Sequence, residues 1–119
     1  MNKEQHLFIG IIAFVIYTWI FYFIIKISTD VIFFGFVCVI IGSIIPDILE
    51  PPRNWMHRGI GHSKRALKFS AKIFVITALI SLISIIFREF LIFYIISCLF
   101  LGYLVHLLAD STTEVGLPD

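Results

Sequence analysis

Charged residues are scarce in this 119-residue sequence. Only 14% of the chain is Asp, Glu, Lys or Arg and 60% is apolar, whereas a soluble domain has about 25% charged and about 45–50% apolar residues. A soluble domain this short would leave large apolar patches on its surface. The composition therefore predicts an integral membrane protein in a lipid environment, with a single domain covering residues 1–119.

Cysteine and excess positive charge are also lacking. The net charge of +1 provides no basic field of the kind that nucleic-acid binding needs, so we expect no nucleic-acid partner. The only two cysteines, Cys38 and Cys98, each lie inside an apolar run. They are expected to be free thiols rather than a disulfide framework.

Four apolar runs, at residues 7–25, 31–45, 73–87 and 90–109, predict four transmembrane helices. The first is long enough to cross roughly 30 Å of hydrocarbon. A cleaved signal peptide is its alternative, but no A-x-A-like site follows at residues 26–30. The second run is short, and we expect it to end at Pro46 with that end buried by neighbouring helices. The predicted fold is an all-α, up-down four-helix membrane bundle with a long polar loop over residues 46–72.

The distribution of Lys and Arg predicts the orientation of this bundle. Seven of the nine basic residues lie at the N-terminus or in the long loop and its margins, and only Lys26 and Arg88 lie in the turns opposite. The positive-inside rule then places both termini and the long loop in the cytoplasm.

Histidine and acidic residues gather on this same predicted face. The set comprises His6, Asp47, Glu50, His57, His62, His106 and Asp110, and it includes all four histidines of the chain. Histidine and carboxylate side chains are ligands of divalent metals, and a set of this size is enough for one or two ions. A single histidine at a membrane interface is more often only solvated, so the prediction depends on the set as a whole.

The spacing within the set supports a metal site. His106 and Asp110 are four residues apart, so on a helix their side chains project from one face and can chelate one ion. His57 and His62 are separated by a glycine-containing segment that suits a loop wrapping an ion. Asp47 and Asp110 fall at predicted helix C-termini, where the helix dipole disfavours negative charge, which calls for a compensating cation.

Three segments together resemble the YdjM-like family of membrane-bound, metal-dependent hydrolases. They read GSIIPDILEP at residues 42–51, HRGIGHS at 57–63 and GYLVHLLADSTT at 102–113, followed by GLP at 116–118. The resemblance covers nearly the whole chain and implies a set of metal ligands comprising His6, Asp47, His57, His62, His106 and Asp110. Many relatives read Pro-Asp-x-Asp, whereas Leu49 stands at that position here and the next acid is Glu50.

The resemblance implies metal-dependent hydrolysis, and its H-x-x-x-D element is similar to one in zinc-dependent phospholipase C enzymes. We therefore expect zinc or manganese to activate water for attack on a phosphoester, in preference to a carboxylic ester. Glu50 is expected to be a ligand or the proton acceptor. Arg58 is expected to pair with a phosphate oxygen, with a purely topological role as an equal alternative. The location at a membrane surface favours a lipid or lipid-linked phosphate as the substrate.

A non-catalytic metal-binding module or a small metal carrier is the alternative function. Carriers usually place ionisable residues near the middle of the bilayer. The middle of each apolar run here lacks such residues, which favours a site at the membrane surface.

Overall fold

The computed structural model describes residues 3–49 and 62–112, in which all regular structure is helical. Helix α1 spans Lys3–Ile24, α2 spans Thr29–Leu49, α3 spans Lys64–Ser81 and α4 spans Leu91–Ser111. Two short 3-10 turns, Leu82–Ile85 and Arg88–Phe90, connect α3 to α4. The prediction of four long helices is confirmed, and residues 50–61 of the predicted long loop lie outside the described residues.

Helix α2 corrects the prediction that Pro46 ends the second helix. The helix continues through Pro46 to Leu49, and Pro46 is fully buried. Proline cannot donate a hydrogen bond to the carbonyl of Gly42, but neighbouring helices make such a gap tolerable in a membrane helix. The extra turn makes α2 longer than the apolar run 31–45 and carries Asp47 on the helix itself.

Helix α3 corrects the other boundary of the predicted loop, because it begins nine residues before the apolar run 73–87. Ser63 has an extended backbone conformation, and its Oγ accepts a hydrogen bond from the backbone N–H of Ala66 at 3.1 Å. This is an N-cap, which satisfies one of the donors left free at the start of a helix. The basic residues that indicated a loop instead occupy the exposed face of the first turns: Lys64, Arg65, Lys68 and Lys72.

The outer surface of the bundle is apolar. Large side chains such as Phe8, Trp19 and Phe23 are more than half exposed. Within the described residues, four helices are long and apolar enough to cross a membrane: Glu4–Ile24, Thr29–Leu49, Lys64–Ser84 and Arg88–Ser111. This surface is what a protein surrounded by lipid tails would present.

Hydroxyl groups occupy the interior at the end where the short turns lie. The Tyr17 hydroxyl lies 2.6 Å from Ser97 Oγ, and the Tyr94 hydroxyl lies 2.6 Å from Thr18 Oγ1, so two hydrogen bonds join α1 to α4. At the same end, Arg88 donates a hydrogen bond to the backbone carbonyl of Lys26. Both short turns therefore lie together, which confirms the predicted up-down order of the helices.

Helices α2 and α4 cross with their backbones nearly in contact, at Gly42 and Gly102. A Cβ atom added to Gly42 would lie 2.0 Å from the carbonyl oxygen of Leu99, and one added to Gly102 would lie 2.3 Å from that of Val39. At these two positions only glycine permits the helices to approach so closely. Close packing at small residues is typical of helix interfaces in membrane proteins. The crossing lies one turn before the polar ends of α2 and α4.

The cysteines conform to the prediction. Both are free; Cys98 is buried and Cys38 is half-buried.

Candidate metal centre

Five of the predicted ligands come together at one end of the bundle. His6 lies in the first turn of α1, Asp47 in the last turn of α2, and His62 next to the N-cap of α3. His106 and Asp110 lie in the last two turns of α4. The up-down order brings these helix ends together, so residues far apart in the sequence form one cluster.

Aspartate oxygens and histidine nitrogens face each other across this cluster. The Nε2 atom of His6 lies 3.1 Å from Asp110 Oδ1, and that of His106 lies 3.3 Å from Asp110 Oδ2. Asp47 Oδ1 lies 3.3 Å from His62 Nε2 and 3.5 Å from His106 Nε2. The contact of His106 with Asp110 confirms the predicted geometry of the pair four residues apart.

These spacings match those between the ligands of one metal ion. In a tetrahedral site with bonds of about 2.0 Å, neighbouring ligand atoms lie roughly 3.3 Å apart. Within the described residues, two overlapping groups have suitable spacing: His6, His106 and Asp110 form one group, and Asp47, His62 and His106 form the other. The donor set of imidazole and carboxylate suits zinc, manganese or iron. These five residues could therefore hold a metal ion.

His106 has the hydrogen bond that metal-binding histidines typically make. Its Nδ1 lies 2.7 Å from the backbone carbonyl of Ser43, and because a carbonyl only accepts, the proton is on Nδ1. In the neutral ring, Nε2 then carries the lone pair, and that atom is buried without a hydrogen-bond partner in the part of the chain described. A carbonyl that orients a histidine in this way is a common outer partner of metal ligands.

The centre is enclosed on most sides. His6, His62, His106 and Asp110 are each at most 4% exposed, whereas the side chain of Asp47 is 29% exposed. Charged groups buried to this extent are costly unless they are paired or bind a metal. Of these five side chains, that of Asp47 is the most accessible to solvent. Solvent therefore reaches the centre on the side of Asp47.

Three predicted site residues, Glu50, His57 and Arg58, lie outside the described residues. The predicted pairing of His57 with His62 and the roles given to Glu50 and Arg58 therefore stay predictions.

Sequence reasoning missed the part played by the α2–α4 crossing. The carbonyl of Ser43, next to Gly42 at the crossing, holds the ring of His106 in place through a hydrogen bond. The signal was the similar spacing on the two helices: Gly42 precedes Asp47 by five residues, and Gly102 precedes His106 by four. A glycine about one turn before each of these polar residues sets how closely the two helix ends approach.

We compared the chain with protein-family models, curated proteins and solved structures, and no match was found in any of the three comparisons.

Proposed function

We propose that this protein is a membrane-embedded, metal-dependent hydrolase that acts on a phosphoester of a lipid or lipid-linked substrate at the cytoplasmic face. One observation carries the proposal: three histidines and two aspartates converge at neighbouring ends of four helices, with donor atoms spaced as metal ligands are. Zinc or manganese is the proposed ion. When bound, such an ion supplies an activated water and polarises a phosphoryl oxygen.

The chain's own residues provide the remaining chemistry that we propose. The partly exposed side chain of Asp47 lies on the side from which a phosphate group would reach the centre. Glu50 follows the last residue of α2, only three residues after Asp47, and we assign it as a ligand or as the acceptor of the proton. Arg58 would pair with a phosphate oxygen, because its planar guanidinium presents two parallel donors.

An apolar pocket between α3 and α4 supports a lipid substrate. The pocket has a volume of about 150 Å³ and is lined by Ala66, Phe69, Ser70, Phe100 and Tyr103. Tyr103 lies three residues before His106, so the pocket lies within about one turn of the centre along α4. A cavity of this size accommodates a small hydrocarbon group. We propose that part of an acyl chain occupies it while the phosphate reaches the metal.

A non-catalytic metal-binding module or a metal carrier is the second candidate. The observation that favours it is the burial of four of the five ligands, which leaves little surface for a substrate. The carrier is the weaker form of this candidate, because the ligands lie at the ends of the helices and not near their middle.

Hydrolysis by metal-loaded protein in detergent or bilayers separates the two candidates. The substrates are phospholipids, phosphodiesters, phosphomonoesters and carboxylic esters, each with and without a chelator. The informative variant is Asp47→Asn, and its control is Asp30→Asn, which changes an exposed carboxylate in the first turn of the same helix. Losing an outer partner of a metal ligand costs about 10–100-fold, so losing a ligand should reduce kcat/KM by about 100-fold or more.

The proposal expects phosphoester turnover that chelation abolishes, with Asp30→Asn fully active. Turnover of carboxylic esters alone would contradict the phosphate specificity. If metal stays bound and no substrate reacts, hydrolysis is wrong and the metal-binding module stands.

A further inference from the structure

We propose that the five ligands form two unequal metal sites bridged by Asp110, a division that rests on the proposed metal-dependent function. The first site comprises Asp47 Oδ1, His62 Nε2, His106 Nε2 and Asp110 Oδ2. The second site comprises His6 Nε2 and Asp110 Oδ1 and is completed by ligands from outside this set.

The orientation of two histidine rings excludes a single ion shared by His6 and His106. Their rings are stacked, with centroids 3.9 Å apart and planes inclined by 16°. The lone pair of an imidazole nitrogen lies in the plane of its ring, and a metal binds along it at about 2.0–2.1 Å. An ion in the plane of His106 would therefore lie far out of the plane of His6. The spacing of these atoms permits one ion, but the ring orientation does not.

His62 and His106 are arranged differently. Their ring planes meet at 62°, so the lone pairs on their Nε2 atoms can point at one ion. Asp47 Oδ1 lies within 3.5 Å of both nitrogens, which completes a compact set of three donors. The first site therefore follows from the distances, and the ring orientation is compatible with it.

Asp110 is the residue that can serve both sites, because a carboxylate has two oxygens. Its Oδ1 faces His6 at 3.1 Å, while its Oδ2 faces His106 at 3.3 Å and His62 at 3.9 Å. The stacked rings of His6 and His106 therefore place their Nε2 atoms next to different oxygens of the Asp110 carboxylate. The ring spacing of 3.9 Å agrees with the separation of about 3.5–4 Å between ions in two-metal sites.

The two sites differ in how firmly their histidines are held. His106 donates from Nδ1 to the carbonyl of Ser43, whereas Nδ1 of His6 is buried without a hydrogen-bond partner within the described chain. Loss of such an outer partner typically weakens metal binding about 10–100-fold. The ion at His6 should accordingly bind at least about tenfold more weakly than the first ion.

The test is a titration of full-length protein in detergent with Mn²⁺, followed by electron paramagnetic resonance and by metal analysis. We expect two ions per chain at saturation, in two steps, with the six-line signal of the first ion lost to spin coupling as the second binds. His6→Ala should bind one ion and keep the uncoupled signal. Asp110→Asn removes the carboxylate that both sites share, so it should not retain the second ion and should show no coupling. Glu4→Ala, an exposed acid in the same turn as His6, is the matched control and should retain two coupled ions.

One ion per wild-type chain at saturation, or two that never couple, would overturn the bridged pair, and this result needs no variant to fold. Two coupled ions in His6→Ala would overturn it as well. The phosphoester assay remains separate: two coupled ions without turnover contradict the hydrolase, and turnover with one ion contradicts only the second site.

Discussion

Replacing Gly102 with alanine is expected to push α2 and α4 apart beside the candidate metal centre. The added Cβ would lie 2.3 Å from the carbonyl oxygen of Val39 and 2.8 Å from the backbone nitrogen of Ser43. Both are backbone atoms, so no side chain can rotate away to relieve the overlap. The helices themselves must move.

The size of the effect follows from these distances. Ordinary van der Waals contact begins at 3.4 Å, so the backbones must separate by about 1.1 Å. The hydrogen bond from His106 to the Ser43 carbonyl would then lengthen from 2.7 Å to about 3.8 Å and break. Overpacking costs about 1–3 kcal/mol and the lost hydrogen bond about 0.5–1.5 kcal/mol, while alanine regains about 1 kcal/mol of helix propensity. The net loss of stability is about 2 kcal/mol.

Metal affinity should fall together with stability. The same displacement moves His106 away from Asp47 but leaves the pair formed by His106 and Asp110 intact, because that pair lies on one helix. Losing the carbonyl partner of a metal-binding histidine alone costs about 10–100-fold in affinity. We therefore expect zinc to bind Gly102→Ala at least about tenfold more weakly, as measured by calorimetry in detergent and by the shift of Tm on adding zinc.

Gly35→Ala is the matched control, because Gly35 is a buried glycine on α2 whose neighbours are side chains. Its added Cβ would meet Cys98 Sγ and a carbon of Tyr94 at 3.1 Å, contacts that a shift of a few tenths of an ångström relieves. Zinc affinity should stay at the wild-type value in this variant. Wild-type zinc affinity in Gly102→Ala, or an equal loss in both variants, would refute the reasoning that the crossing positions the metal centre.

Three further predictions concern other parts of the molecule. Ser43→Ala should leave zinc affinity unchanged in calorimetry, because Ser43 holds His106 through its carbonyl while its hydroxyl bonds to the backbone; a tenfold loss would contradict this. Tyr94→Phe removes the bond to Thr18 and should lower the free energy of unfolding by about 0.6–1.7 kcal/mol in a denaturant titration, with metal content unchanged; an unchanged stability would argue against that bond. A reporter fused after Lys26 should lie outside the cytoplasm and one after Asp119 inside, and both on one side would contradict the topology.

The sequence was sufficient to predict that five of the seven polar residues assigned to one face meet, because an up-down bundle brings alternate helix ends together. His6, Asp47, His62, His106 and Asp110 were assigned to one face from topology alone, and the structure places them in one cluster. Their pairing was not predictable, since it depends on the rotation of each helix about its axis. The stacking of His6 on His106 is set by that rotation and leaves no pattern in the sequence.

Helix boundaries were the least predictable part of the fold. Apolar runs identify the segments that lipid surrounds, but a helix can extend beyond the lipid on either side. The basic first turns of α3 and the turn of α2 after Pro46 are both of this kind. Ser63 is a typical N-cap residue and could have indicated the start of α3. The charged residues that follow it indicated a loop instead.

Two hydroxyl–hydroxyl hydrogen bonds attach α1 to α4 at the end of the bundle opposite the candidate metal centre. Tyr17 and Thr18 attach it to α4 there, and His6 attaches it again through Asp110, about 18 Å away along the helix axis. If the contact at His6 is released, α1 loses one of these two attachments to α4. A tilt of about 3° about the remaining attachment, at Tyr17 and Thr18, then moves His6 by about 1 Å, enough to disrupt a metal site. A cation bound there would thus fix the angle of a whole helix within the bundle.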